Sequence, residues 1–195
     1  ECQGQSPIEP EPAWVVVAPP SYAPAINNVV TWYDQALDVA QRIAPDSSLL
    51  SPISFTRHIY PILKRTVMLQ WVSQIARGWH GISGSDNFLA DDTLADLADN
   101  GDATRAARQR IFHSLRNPDI AAGGSPSGTM PKMKLGLNPE DPASGRIHMT
   151  LTPLQYEHMQ EWAAGNFEAD WSGSPPNPPA FDDIPDTDKP AALDR

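Results

Sequence analysis

Apolar positions recur at steps of three and four most persistently between Ser54 and Trp79, in the run SFTRHIYPILKRTVMLQWVSQIARGW. Phe55, Ile59, Ile62, Leu63, Val67, Leu69, Trp71, Val72 and Ile75 fall on one broad stripe, which predicts helix rather than strand. Pro61 has no amide to donate, so the spacing predicts a short helix or kink first and a longer helix up to Gly78. The rest of the chain is shorter in period or poorer in large apolar residues, and is expected to pack on this piece. Val29, Val30, Tyr33, Leu37, Ala40 and Ile43 predict an amphipathic helix over 29–43 that stops before Pro45. A Gly-rich turn is expected at 78–84, followed by an acidic helix around 92–99 that ends at Asn100-Gly101. A basic helix over 104–115 would turn Ala107, Ile111, Phe112 and Leu115 inward. Residues 117–145, rich in Pro, Gly and Ser, read as loop.

The clearest helix start is at Thr152. Thr152 is placed to cap, Pro153 takes the first helical position and Gln155 completes a capping box, with Leu151 and Tyr156 spaced as a hydrophobic staple. Tyr156, Met159, Trp162 and Ala163 form the expected buried stripe, and Gly165 ends the helix. Two short β-type runs remain. Ala13–Val17 is β-branched and stopped by Pro19-Pro20, and 147–151 alternates. The first would be an edge strand whose partner this chain barely supplies. The expected organisation is an extended arm over 1–28, a helical domain over 29–171 and a Pro/Asp-rich tail over 172–195.

Composition sharpens this outline. The 195 residues suit one domain with arms, and the 21 prolines, about twice the usual share, gather toward both ends. The net charge of -10 argues against nucleic acid and against acidic membrane surfaces as partners. Asp91, Asp92, Asp96, Asp99 and Asp102 lack the glycine and closing glutamate of a calcium loop, so they read as solvated surface. The single cysteine, Cys2, excludes an internal disulfide framework and a Cys-rich metal site. No apolar run reaches the ~18 residues that a membrane helix needs. The first residue is Glu1, which is consistent with a processed or excised piece.

No set of residues spells out an active site. His58, His80, His113, His148 and His158 show neither HExxH nor an i,i+4 pair. GISG (81–84) lacks the nucleophile-elbow pattern, and GGSPSG (123–128) has no following lysine for a phosphate loop. One spacing is more informative. FTRHIYPIL, then GTMP (128–131), then TPLQYEHMQEWAAGNF (152–167) resembles the skeleton of a c-type cytochrome. Residues 66–71, TVMLQW, carry neither the cysteines nor the histidine that would attach haem there, although Met130 matches the methionine-ligand position. The fold class expected is therefore mainly α, a helical domain resembling a haem-less cytochrome c-like fold, with a short N-terminal strand and Pro-rich arms that pack on another part of an enzyme. No haem and no metal are expected.

Taken together, AWVVVAPPSYAPAINNVVTWYD (13–34), SFTRHIYPILKR (54–65), GWHG (78–81) and LTPLQYEHMQEWAAGNFEADW (151–171) resemble the L-lysine epsilon-oxidase and glycine oxidase family of quinoproteins. The resemblance runs through residues 13–171 in order. It implies oxidative deamination of a primary amine of an amino acid, releasing ammonia and hydrogen peroxide. The implied cofactor is a cysteine tryptophylquinone, built on a cysteine motif beyond a segment like Ala191–Arg195 and hence on another segment or chain. No catalytic residue is identifiable in this chain, and neither Cys2 nor any of the six tryptophans matches the cofactor pair.

The resemblance also implies partners: the remaining segments of the same enzyme, a homo- or hetero-oligomer, a flavoprotein maturation partner and an amino acid substrate. Members of the family can be extracellular. Within PPSYAP (19–24), Tyr22 matches an aromatic assigned by the resemblance to the substrate entrance, in a form closer to the lysine-oxidising members. The chain is thus expected to be the central segment or a subunit of such an oxidase. The alternative is a non-enzymatic helical interaction module derived from a cytochrome c-like domain.

Overall fold

A computed structural model describes residues 26–45, 52–118, 130–131, 149–175 and 181–186. The expected strand at 13–17, the Pro-rich arm, Tyr22, Cys2 and His148 lie outside these residues. Among them the fold is mainly helical. The helices are α1 (Trp32–Ile43), α2 (Tyr60–Met68), α3 (Gln74–His80), α4 (Asp91–Ala98), α5 (Arg105–Ser114) and α6 (Pro153–Ala164). Among the described residues the sheet-type pairings are two isolated parallel bridges, Ser54 with Glu168 and Leu115 with Met130. Residues 149–151, expected to be strand, have no regular structure and lead directly into the cap of α6.

The organising stretch breaks into four pieces rather than two. A π-helical turn, Phe55–Ile59, precedes α2, with the Tyr60 amide reaching back to the Phe55 carbonyl. Pro61 falls in the first turn of α2, where its missing amide costs nothing. A 3-10 turn at Leu69–Trp71 then ends the run, and Ser73 caps α3 by accepting from the Ala76 amide. That second start redirects the chain. Trp71, Val72 and Ile75, expected inside, are 64 %, 58 % and 56 % exposed. Gly78 to His80 belong to α3, so the expected Gly-rich turn begins only at Gly81.

Helix α6 is the central post, with α1, α5 and the π-helical turn packed on it. Its capping box forms as the sequence predicts: the Gln155 amide donates to Thr152 Oγ1 and the Thr152 amide to Gln155 Oε1. Gly165 closes it at φ 94°, a left-handed conformation natural to glycine. Trp162 is fully buried and donates its indole N–H to the Leu97 carbonyl at 2.9 Å, joining α6 to α4. Around these lie Phe55, Ile59, Leu63, Leu97, Leu151 and Met159, all nearly inaccessible. Each large apolar side chain so buried contributes about 1.5–3 kcal/mol.

Helix α1 is turned relative to expectation. It begins at Trp32, behind a capping box between Thr31 and Asp34, so the buried Val29 and Val30 precede the helix. Asp38 is buried and accepts from the Leu154 amide at 3.0 Å, placing a carboxylate at the positive end of α6. Asp34 pairs with Arg65 on α2 at 2.7 Å. These polar anchors hold α1 with its acids inward. Tyr33, Ala40 and Ile43, expected to be core, face outward, and Trp32 and Ile43 are 83 % and 79 % exposed.

Helix α5 carries a second polar anchor. Arg108 is fully buried beside Ile111. Its guanidinium donates to the carbonyls of Trp162 (3.1 Å), Asp99 and Gly101 (3.1 Å), and to Thr104 Oγ1 (2.5 Å). It also lies 5.6 Å from the Phe167 ring centre. Two of these acceptors close the C-terminal ends of α4 and α6, where a positive charge is favoured. Burial lowers the Arg108 pKa from its usual value, and the Asp99 carboxylate opposes that shift.

Candidate functional site

Two places bring chemically capable side chains together. The first is a cleft of about 90 Å³ bounded by α2, α3, the Leu115–Met130 bridge and the start of α6. Ile62, Leu63, Leu69, Ala76, Leu151 and Met159 supply apolar wall. Thr66 and Ser114 also line it, but their hydroxyls donate to the carbonyls of Ile62 (2.8 Å) and Ile111 (2.6 Å). His80 stands at the α3 side, its Nδ1 3.1 Å from the Asp86 carbonyl and its ring centre 4.9 Å from that of Phe88. Met130 and Pro131 form another border, joined by a cis peptide bond.

The second place ties the start of the organising stretch to the chain after α6. The Ser54 hydroxyl donates to Asp170 Oδ2 at 2.5 Å, and the Thr56 amide donates to Asp170 Oδ1 at 2.9 Å. His58 Nδ1 accepts from the Ser54 amide at 3.0 Å, and its ring stacks on His158 at 4.7 Å between centres. Burial first, then the electrostatic influence of His158 and of the Arg57 guanidinium, lower the His58 pKa from 6.5 to about 4, against a smaller opposing pull from Asp170. For Asp170, burial works to raise the pKa, yet hydrogen bonds from Ser54 and Thr56 outweigh it and hold the carboxyl below its usual range.

Serine, histidine and aspartate are thus neighbours, but the connections are not those of a nucleophile. A catalytic serine needs a base on its hydroxyl. Here the Ser54 oxygen accepts the Arg57 amide and donates to Asp170, while His58 addresses the Ser54 backbone. The cluster is a clamp. It is reinforced by mutual backbone bonds, Phe55 N–H to the Glu168 carbonyl (3.1 Å) and Glu168 N–H to the Ile53 carbonyl (2.7 Å). Aromatic contacts of Trp171 with Phe55 and Tyr60 complete it.

The groups implied by resemblance can be tested against these surroundings. Among the described residues no three His, Cys, Asp or Glu side chains converge as metal ligands. Residues 66–71 bring no thiol or imidazole to the cleft, whose imidazole is that of His80 and whose volume, about 90 Å³, is far below the roughly 300–1,000 Å³ of drug-sized pockets. A cysteine tryptophylquinone needs a thiol joined to an indole, and the one cysteine, Cys2, lies outside the described residues. Two of the mid-chain acids serve the local chain: Asp99 accepts from the Gly101 amide, and Asp102 pairs with Arg105.

Sequence reasoning missed the Ser54–Asp170 clamp because 116 positions separate its members and nothing local marks them. Arg108 did carry a signal, since it sits three and four residues before Ile111 and Phe112, on the inward stripe of its own helix.

The fold and these two places define a mainly helical domain whose described residues hold clamps and an apolar cleft, without an assembled catalytic centre. No protein-family profile matches the chain. It is similar to L-lysine 6-oxidase of Marinomonas mediterranea, with 31% identity over 124 residues. That alignment takes in 57% of this chain and 16% of the oxidase, so the chain spans about a sixth of the length of that relative. Among the described residues, no helix is long and apolar enough to cross a membrane.

Proposed function

We propose that this chain is a structural segment or subunit of a quinone-dependent L-amino acid oxidase acting on a lysine-like side-chain amine. The overall reaction consumes amine, dioxygen and water and yields aldehyde, ammonia and hydrogen peroxide. The carrying observation is the similarity to L-lysine 6-oxidase across more than half of the chain. The described residues offer no thiol for a cysteine tryptophylquinone, so the proposal places that cofactor on polypeptide outside them. Amine attack on a quinone carbonyl and the later removal of an α-proton both require a closed site that excludes water. A rigid helical domain with outward apolar faces supplies walls and subunit contacts for such a site. Trp32, Ile43, Trp71 and Ile82, all more than 60 % exposed, are the contacts this reading assigns to neighbouring polypeptide.

Tyr22 is assigned to the substrate entrance. In the enzyme assembled with this chain, Tyr22→Ala should raise KM for lysine severalfold while kcat changes little, because the ring contacts bound substrate and transition state alike. Steady-state peroxide release measures both. An unchanged KM would remove Tyr22 from the site and leave the oxidase reading standing. Absence of lysine-dependent peroxide from the unaltered assembly would reject the oxidase reading itself.

A further inference from the structure

We infer that the cleft between α2, α3 and the start of α6 is a binding site for one small, neutral, mostly apolar ring carrying a single hydrogen-bond donor, as in phenol. This inference stands apart from the oxidase reading and rests on the cleft alone.

Three observations carry it. The walls are aliphatic: Ile62, Leu63, Leu69, Leu151 and Met159, with no carboxylate, lysine or arginine among the lining residues. A charged guest would lose its hydration there with nothing to replace it. Next, the Thr66 and Ser114 hydroxyls donate to carbonyls of their own helices, and the Ser73 hydroxyl caps α3. These groups are committed to the fold. His80 differs. The group facing its Nδ1 is a carbonyl, which can only accept, so Nδ1 carries a proton. In the neutral ring, Nε2 is therefore an acceptor, and it makes no hydrogen bond among the described residues. Phe88, packed against the imidazole, fixes the plane of that ring.

Size sets the rest. An enclosed apolar cavity of about 150 Å³ holds benzene, whereas one water occupies about 30 Å³. The cleft, at about 90 Å³, accepts a single six-membered ring provided that one edge projects through its mouth, and Ile75 and Trp79, both about half exposed, border that mouth. Phenol combines such a ring with one donor for His80.

The test is a methyl NMR titration of the full 195-residue chain with phenol and with toluene. Both should give saturable shifts at Ile62, Leu63, Leu69 and Leu151. Phenol should bind about 3- to 10-fold more tightly, the worth of one neutral hydrogen bond. His80→Phe should abolish that preference while toluene still binds, and Ala76→Leu should remove both ligands by filling the cleft. If Ala76→Leu alters the native methyl spectrum of the free protein, Leu115→Phe serves as the filling variant. Non-saturable shifts, shifts confined to methyls outside the cleft such as Val39 and Ile43 on α1, or binding that survives a folded filling variant would overturn the site. Equal affinity for phenol and toluene would overturn the assigned donor contact.

Discussion

Arg108 and His58, one fully and one partly buried, show how two ionisable side chains can hold this chain together by opposite means. Arg108 stays charged and spends its donors on backbone carbonyls and on Thr104, so replacement strips several groups of their partner at once. Arg108→Leu is expected to cost at least about 3 kcal/mol of stability, read from urea midpoints. Arg108→Lys should recover only a small part, because an ammonium cannot span acceptors on three separate turns. His58 instead works neutral, its Nδ1 lone pair receiving the Ser54 amide. Its pKa is lowered on folding from 6.5 to about 4. Between those values the unfolded chain binds more protons than the folded one, so the contribution of His58 is complete above pH 6.5. It is lost progressively as pH falls toward 4 and changes no further below that. The side chain is partly solvated, so the loss will be smaller than full linkage would give. Urea midpoints measured from pH 7.5 to 4 should fall less steeply for His58→Phe than for the native chain; parallel slopes would place the titration elsewhere.

The helices were legible from the sequence to the degree that local chemistry governs them. Thr152, Pro153, Gln155 and Gly165 wrote both ends of α6, because capping acts within one turn. Thr152→Ala should therefore cost about 1 kcal/mol. Asp38→Ala should cost a similar amount, since it removes both the acceptor for the Leu154 amide and the charge at the α6 N-terminus. Denaturant titration of each variant checks these values. What periodicity misjudged was orientation. Helix α1 has apolar residues on more than one face, and its rotation is chosen by Asp34 meeting Arg65 and Asp38 meeting Leu154. Those partners are distant in sequence, so counting hydrophobic steps could not find them. The long stripe through Ile75 failed for a local reason, the 3-10 turn at Leu69–Trp71 and the new cap at Ser73. Arg108 was legible in position, but a charged residue on an inward stripe is conventionally assigned to solvent.

As a whole molecule, the domain presents large apolar side chains on α1 and around α3 while its own core is closed around α6. The proposed role uses these side chains as its contacts with neighbouring polypeptide. Trp32→Ser combined with Ile43→Ser should leave the stability of the isolated chain within about 0.5 kcal/mol and, on the proposed role, weaken its retention in the oxidase assembly. Pull-down yield against the native chain measures this, and undiminished retention would show that α1 is not a contact face. The helical fold, the α6 caps and the similarity to a lysine oxidase agree with the sequence reading, whereas the clamp at Asp170 and the cleft at His80 emerged only in three dimensions. The most direct measurement is L-lysine-dependent hydrogen peroxide release, compared between the purified chain and the assembly isolated through a tag on it. The proposed role predicts peroxide and ammonia from the assembly and none from the chain alone. Turnover of lysine by the isolated chain, or an assembly inert toward lysine and related amines, would contradict it.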